Sequence, residues 1–267
     1  MKKIPLLLAF TLVTFLSCKN EADKKIDISD PVAEQKAEQD EVKITPIEHA
    51  SMILSMGDFV LYIDPTGKKN YYKGQQAPTH IFITDIHGDH FDMKTIKYIF
   101  TEGVKIIAPK AVIDQLPQEI HPNTIMMKNG DEKKIDGLLV ETIPMYNMRK
   151  EALEYHPKGR GNGYVLSWKD ERIYISGDTE DIPEMRNLKG ITKAFVCMNL
   201  PYTMPVSTAA DAVLDFEPKV VYPYHYKGEN GYADVRKFAN IIKTNRPNTK
   251  VELLTWYKDE PKKKNIE

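Results

Sequence analysis

The chain has 267 residues with 37 basic and 38 acidic side chains, so its formal net charge is −1. This balance argues against a nucleic-acid enzyme that depends on neutralising phosphates, and nucleic acid is not an expected partner. Hydrophobic residues make up 42 % of the chain and only two residues are cysteines, a composition typical of a globular protein without a disulfide framework.

The first 17 residues have the pattern of an export signal. A positive start at Lys2 and Lys3 precedes an apolar core over residues 4–15, which is too short for the roughly 20 residues of a membrane span. The core ends at Phe15-Leu16-Ser17-Cys18, which resembles the lipobox of bacterial lipoproteins. We therefore expect lipid on Cys18 and a location in the bacterial cell envelope, periplasmic or on the surface. Phe15 is less usual than leucine at its place, so a cleaved signal or a short anchor stays open.

The next segment, residues 18–42, is dominated by charged and small side chains. It is predicted to be a flexible tether, because it has too few large apolar residues to form a core. The lysine-rich end, residues 259–267, is predicted to be disordered. Residues 43–258 then form one domain, since roughly 200 residues suffice for one large domain but are short for two.

Short apolar runs separated by turn signals predict ten strands in this domain, and apolar periodicity predicts four helices between them. The strands span residues 52–54, 59–63, 81–84, 104–108, 138–144, 164–168, 172–176, 194–198, 220–222 and 251–254. The helices span residues 93–100, 111–116, 207–216 and 232–244, the third with Ser207 as its N-cap. Helices flanking two packed sheets favour an α+β fold, a four-layer αββα sandwich.

The most informative segment is residues 84–90, Thr-Asp-Ile-His-Gly-Asp-His, directly after an apolar strand. Two imidazoles and two carboxylates in one short loop are ligands that a metal site requires: Asp85, His87, Asp89 and His90. A polar surface turn would explain the glycine and Asp89 but not the two histidines.

Two further predicted strands also end in potential ligands. Asp178 follows the apolar run 173–175, and His225 ends the segment 220–225. Ligands at several strand ends are expected when a site is built from loops at one edge of stacked sheets.

These motifs resemble the metallo-beta-lactamase-fold hydrolase superfamily, whose pattern is His-x-His-x-Asp-His followed by a distant His, an Asp and a final His. The resemblance covers roughly residues 43–258 and implies the four-layer αββα fold. It also implies that Asp64 braces the metal loop from behind the ligands. Within the superfamily, His49-Ala50-Ser51 and Gly177-Asp178-Thr179 look most like the ascorbate-phosphate lactonase-like branch.

The chain departs from the superfamily pattern at two places. Asp85 stands where the pattern has its first loop histidine, and Asn147 stands where the related branch has its middle histidine. A carboxylate ligand extends the choice of metal from zinc toward manganese or iron; alternatively, Asp85 only hydrogen-bonds a ligand. His156 lies at the far end of the following loop, and we expect it rather than Asn147 to fill the third-ligand corner.

The expected function is metal-dependent hydrolysis of a small ester, lactone or phosphodiester by a metal-bound hydroxide, with one or two zinc ions. In a two-metal site, Asp85, His87 and His156 would hold one ion, Asp89, His90 and His225 the other, and Asp178 would be shared. Asp89 and His49 are the predicted catalytic residues, and Tyr202 and Tyr226 are further candidates for proton transfer. The competing hypothesis is a metal-binding envelope lipoprotein without turnover.

The expected partner is a small, anionic substrate. Lys158 and Arg160 lie in a glycine-rich segment just after His156, so they are predicted to bind its anionic group; both could equally be solvent-facing loop residues. Cys197 lies in an apolar run and is predicted to be a buried packing residue rather than a nucleophile.

Overall fold

The computed structural model describes residues 41–258. The predicted signal peptide, Cys18, most of the predicted tether and the predicted tail at residues 259–267 therefore lie outside the described residues. Within residues 41–258, none of the helices has the length and apolar character that crossing a membrane requires.

The first sheet has six strands in the order β1 to β6. β1, β2 and β3 are antiparallel neighbours, whereas β3, β4, β5 and β6 run parallel. Its strands are β1 (Lys43–Glu48), β2 (Ser51–Met56), β3 (Phe59–Ile63), β4 (His80–Phe82), β5 (Lys105–Ala108) and β6 (Thr124–Met126).

The second sheet has seven strands in the order β15-β12-β11-β10-β9-β8-β7. β7 to β10 pair antiparallel, and β10, β11, β12 and β15 run parallel. Its strands are β7 (Glu132–Ile135), β8 (Leu138–Met145), β9 (Gly161–Trp168), β10 (Glu171–Ile175), β11 (Lys193–Cys197), β12 (Val220–Tyr224) and β15 (Lys250–Val251). A separate hairpin pairs β13 (Lys227–Gly228) with β14 (Gly231–Tyr232).

In the described part of the chain, five α-helices flank the sheets: α1 (Met93–Ile99), α2 (Lys110–Ile113), α3 (Pro183–Arg186), α4 (Val206–Phe216) and α5 (Val235–Asn245). Short 3₁₀ turns lie at Lys69–Tyr71, His121–Asn123 and Lys150–Ala152. Asp92 caps α1 by accepting a hydrogen bond from the backbone N–H of Lys94, and Asp234 caps α5 in the same way.

Side chains on opposite faces of the first sheet belong to two different hydrophobic clusters, and this arrangement shows the order of the layers. In β3, Leu61 and Ile63 join the large core that contains the second sheet and helices α4 and α5, whereas Val60 and Tyr62 join a smaller cluster with helices α1 and α2. Residues two apart on a strand face the same side. The first sheet is therefore covered by helices on one face and by the second sheet on the other, which confirms the predicted αββα sandwich.

The structure corrects several predicted element boundaries. Pro205, not Ser207, occupies the N-cap of α4, and Ser207 lies inside the first turn. The predicted helix over residues 232–244 begins only at Val235, because Tyr232 belongs to the β13–β14 hairpin. The helix predicted over residues 111–116 is α2, a single turn.

Candidate metal centre

The candidate ligands lie at the carboxyl ends of parallel strands in both sheets. Asp64 follows β3, the metal loop (residues 84–90) follows β4, Asp178 follows β10 and His225 follows β12. Contacts among these side chains show that the two sheet edges face each other, so loops from both sheets build one site.

Asp64 fixes the metal loop to the first sheet. It is buried, and its carboxylate accepts hydrogen bonds from the backbone N–H and the hydroxyl of Thr84, both at 2.7 Å. The same carboxylate lies 2.8 Å from Nδ1 of His90. Asp64 therefore occupies Nδ1 of His90, and Nε2 is the ring nitrogen that faces the site.

We call His90, Asp178 and His225 centre B; all three are buried, and their ligand atoms lie within 4.8 Å of one another. The Nε2 atoms of His90 and His225 are 3.0 Å apart. They lie 3.4 Å and 3.3 Å from the two oxygens of Asp178. Asp89, which is partly exposed, adds an oxygen 3.4 Å from Nε2 of His225.

His156, not Asn147, reaches centre B. The backbone N–H of Asn147 donates to the carbonyl of His156, so the loop folds back on itself and brings the two residues together. Nε2 of His156 lies 3.2 Å from Asp178, while its Nδ1 lies 3.2 Å from the carbonyl of Tyr202. The amide of Asn147 donates to the carbonyls of Ala152 and Tyr202. Asn147 therefore braces the loop that carries His156.

The donor set of centre B fits a divalent transition metal. In a tetrahedral zinc site with bonds of about 2.0 to 2.1 Å, neighbouring ligand atoms are roughly 3.3 Å apart, close to the spacings in centre B. Nε2 of His156 and Oδ1 of Asp178 are buried and make no hydrogen bond to any described residue. Buried polar atoms are costly when unpaired, so a cation is the partner that this arrangement favours.

The charges of centre B are strongly coupled. Burial lowers the pKa of His90, yet Asp178, Asp64 and Asp89 together raise it well above its usual value. Burial acts in the opposite direction on Asp178, but His225 and His90 hold the pKa of that carboxyl well below its usual range. The carboxylate thus stays ionised inside the protein and attracts positive charge.

We call Asp85, His87 and His156 centre A, a second group whose ligand atoms lie within 4.8 Å. Asp85 is buried, and its Oδ2 lies 2.9 Å from Nδ1 of His87 and 3.9 Å from Nε2 of His156. Arg160 binds the Asp85 carboxylate with two hydrogen bonds, Nε to Oδ1 at 3.0 Å and Nη2 to Oδ2 at 2.8 Å. Burial acts to raise the pKa of Asp85, but His87 and Arg160 bring it below its usual value.

A third group joins His49 to centre B. Nε2 of His49 lies 3.3 Å from Asp89, and its ring packs on that of His225 with centroids 3.9 Å apart. Nδ1 of His49 lies 2.6 Å from the hydroxyl of Tyr257, which also accepts a hydrogen bond from the backbone N–H of Lys227. Burial and the nearby His225 lower the pKa of His49, so this imidazole is neutral at neutral pH.

The two predicted substrate cations do not converge on a common point. Arg160 is directed to Asp85, whereas the ammonium of Lys158 lies 2.8 Å from Glu184 and packs over the ring of Tyr146. Both cations of the predicted anion-binding pair, Lys158 and Arg160, are therefore already paired with a carboxylate. Cys197 is buried, as predicted, and burial raises the pKa of its thiol to about 12.

Sequence reasoning missed three contacts in this site. Tyr257 orients His49 from 208 positions away in the chain, and Arg160 reaches Asp85 across 75 positions, so neither pairing has a local signal. Thr84 links Asp64 to His90 through its hydroxyl, 3.0 Å from Nδ1 of His90. A hydroxyl at the end of an apolar strand, just before a ligand-rich loop, is the one signal that could have identified it.

Comparison with known proteins agrees with this geometry. Residues 43–225 match the profile of the beta-lactamase superfamily domain. A UPF0173 metal-dependent hydrolase of Thermococcus kodakarensis is 27 % identical over 193 residues, 69 % of this chain and 84 % of that protein. The corresponding protein of Pyrococcus horikoshii is 29 % identical over 195 residues, with the same shares of each chain.

Solved structures extend the likeness. The crystal structure of a Parabacteroides distasonis protein assigned as a metal-dependent hydrolase has a TM-score of 0.70 and 36 % identity, and the match covers 79 % of this chain and 92 % of that one. A metallo hydrolase of Ignicoccus hospitalis shares the fold at 20 % identity with a TM-score of 0.66, over 80 % of this chain and 94 % of that one. The chain belongs to the metallo-beta-lactamase superfamily, and it is a metal-dependent hydrolase of that superfamily.

Proposed function

We propose that this hydrolase cleaves a small ester, lactone or phosphodiester and that zinc is its metal, with manganese or iron as alternatives. The observation that carries the proposal is centre B, where two buried imidazoles and a buried carboxylate converge and the buried, unpaired Nε2 of His156 lies 3.2 Å from that carboxylate. Nitrogen and oxygen donors of this kind suit these metals.

A bound divalent ion would lower the pKa of a coordinated water to about 7 and polarise the oxygen of the bond under attack. The protein contributes the frame in which this chemistry takes place. Asp64 holds the ring of His90, and the Tyr202 carbonyl holds that of His156, so both histidines turn Nε2 toward the site and would bind an ion through that nitrogen.

The ring of His49 lies beside centre B, and both of its nitrogens have a hydrogen-bonding partner. The hydroxyl of Tyr257 accepts from the N–H of Lys227 and can donate its own proton to Nδ1 of His49. Nε2 of His49 then carries the remaining proton and faces Asp89 at 3.3 Å. The N–H of a neutral imidazole is too weak an acid to transfer its proton, so His49 acts here as a hydrogen-bond donor to the departing oxygen, and Asp89 orients it.

A lysine-lined pocket supports an anionic substrate better than the predicted pair of Lys158 and Arg160. The pocket has a volume of about 270 Å³, and it is lined by Ile47, Glu48, Lys68, Tyr71, Lys227, Trp256 and Lys258. Glu48 precedes His49 in the chain, and Lys227 follows His225 by two positions. Three lysines against one glutamate favour a carboxylate or phosphate group on the substrate.

Two finer features are part of the proposal. The chain is proposed to resemble the ascorbate-phosphate lactonase-like branch, on the strength of the His49-Ala50-Ser51 and Gly177-Asp178-Thr179 segments. The protein is proposed to be anchored in the bacterial cell envelope through lipid on Cys18, because the preceding residues resemble a lipobox.

The direct test is a substrate panel of lactones, phosphodiesters and sugar phosphates with the purified protein loaded with zinc. Turnover of one class, lost on chelation and restored by added metal, is the expected result. Nitrocefin is included to measure beta-lactamase activity. Tight metal binding without turnover of any compound would instead favour a metal-binding envelope lipoprotein.

A further inference from the structure

The ligand atoms of Asp85 and His87 in centre A already have hydrogen-bonding partners, unlike Oδ1 of Asp178 in centre B. Both oxygens of Asp85 accept hydrogen bonds from Arg160, and Oδ2 is also 2.9 Å from Nδ1 of His87. The remaining ring nitrogen of His87, Nε2, lies 3.3 Å from Nη2 of Arg160. The guanidinium nitrogen therefore lies next to two of the three ligand atoms that a metal ion in centre A would need, those of Asp85 and His87.

The position of Arg160 is set by the backbone around it. The N–H of Asn162 donates to the carbonyl of Thr84 at 2.9 Å, so the start of β9 is attached to the start of the metal loop. A Cβ atom on Gly161 would lie 2.8 Å from that same carbonyl, which shows how closely the two segments approach. Nη2 of Arg160 also donates to the carbonyl of Tyr155 at 2.5 Å. The guanidinium is thus fixed from several sides.

His156 lies between the two centres and closer to the Asp178 carboxylate of centre B. Its Nε2 is 3.2 Å from Asp178 but 3.9 Å from Asp85, and it makes no hydrogen bond to a described residue. Centre B itself offers the imidazole nitrogens of His90 and His225 and the Asp178 carboxylate, and Nε2 of His156 lies beside that carboxylate. Three protein ligands are the usual number in a catalytic zinc site, which keeps its fourth position open for water, so centre B can hold an ion without a donor from Asp85 or His87.

We propose that Arg160 takes the place of a second metal ion: the protein binds one ion, in centre B, and the guanidinium supplies the positive charge at centre A. The inference rests on the proposed metal-dependent function and specifies the number of ions. Arg160 is then a positioning residue, since it keeps Asp85 neutralised and holds His87 in place. This pairing also explains why Asp85 departs from the superfamily pattern: its carboxylate binds Arg160 where a histidine would bind a metal.

The test is metal stoichiometry in the full chain. Protein stripped with a chelator is reloaded with excess Zn²⁺ or Mn²⁺, desalted, and analysed for metal by mass spectrometry. Wild type should retain one ion per chain, and Mn²⁺ should give the electron paramagnetic resonance spectrum of an isolated ion. Arg160→Gln frees Asp85 and His87, so the stoichiometry should rise toward two and the spectrum should show spin coupling.

The matched control is Arg172→Gln. Arg172 binds Glu141 through the same two-point contact, at 2.6 Å and 3.1 Å, but at the start of β10, at the opposite end of that strand from Asp178. Its stoichiometry should stay at one. If Arg160→Gln does not fold, the double variant Asp85→His/Arg160→Gln removes the buried charge as well and should bind two ions, with circular dichroism as the check on folding.

Two ions in wild type would overturn the inference, and so would a folded double variant that still binds only one. Failure of the proposed function has a different result. A wild-type chain that binds one ion but hydrolyses no compound in the panel would contradict the function and leave the assignment of Arg160 intact.

Discussion

Replacing Asp64 with asparagine should weaken metal binding without removing any ligand. Asn has the same shape, but its amide nitrogen is a donor, whereas Thr84 and His90 present donors to Asp64 at 2.7 to 2.8 Å. To avoid donor facing donor, His90 would move its proton from Nδ1 to Nε2. Nε2 would then present a hydrogen to centre B instead of a lone pair.

The expected loss in affinity is about 10-fold to 100-fold, the range typical for residues that orient metal ligands. This corresponds to about 1.4 to 2.7 kcal/mol. Metal that binds only the folded state stabilises it, so a free metal concentration 100 times the wild-type dissociation constant adds about 2.7 kcal/mol. For a variant with 100-fold weaker binding, the same concentration would add only about 0.4 kcal/mol.

Competition against a chromophoric chelator measures the affinity, and urea unfolding with and without zinc measures the stabilisation. Asp136→Asn is the matched control, because Asp136 also accepts from a histidine, Nε2 of His80 at 3.0 Å, but at the opposite end of β4 from the metal loop. Equal zinc affinity in Asp64→Asn and wild type would refute the orienting role of Asp64.

Three further predictions follow from named contacts. His225→Ala should lose zinc measured by elemental analysis, whereas His121→Ala should retain it, because the ring of His121 only contacts the carbonyl of Leu116. Burial lowers the pKa of His80 below its usual 6.5 despite the nearby Asp136. The unfolded state therefore binds more protons than the folded state below pH 6.5, and the free energy of unfolding should fall on acidification. In His80→Gln, the urea midpoint should fall less than in wild type between pH 6.5 and 5. Cys18→Ser should release the protein from membranes on fractionation, and a parent that is already soluble would contradict the lipid anchor.

The strands that the sequence predicts are those with buried apolar residues on at least one face. β4 and β11 are almost wholly buried, and their apolar runs identified them. β7 (Glu132–Ile135) has three exposed residues out of four and lies at the edge of its sheet. It is held by backbone pairing to β8, which depends little on side-chain type and leaves no apolar pattern to detect.

In the candidate site, too, the residues with a local sequence signal could be predicted and those that depend on distant contacts could not. The metal loop could be predicted because its ligands are dense in sequence, and Asp178 and His225 because each ends an apolar strand. The choice between Asn147 and His156 needed the backbone hydrogen bond between them, which the sequence does not encode as a local pattern. The partners of His49 and Asp85 depend on the packing of distant segments, so only the folded chain reveals them.

An aspartate at position 85, where the superfamily pattern has a histidine, requires a positive charge nearby even when no metal is bound. A histidine there could remain neutral when no metal is bound, but a buried carboxylate without a partner would destabilise the fold by several kcal/mol. Asp85 is completely buried, so it requires a cation whether or not the protein has found its metal. Arg160 is permanently charged and covalently part of the chain, so it meets that requirement during folding and before any ion arrives. The Asp85–Arg160 pair therefore separates the stability of centre A from metal supply, while centre B, with its unpaired donors, keeps the affinity for metal.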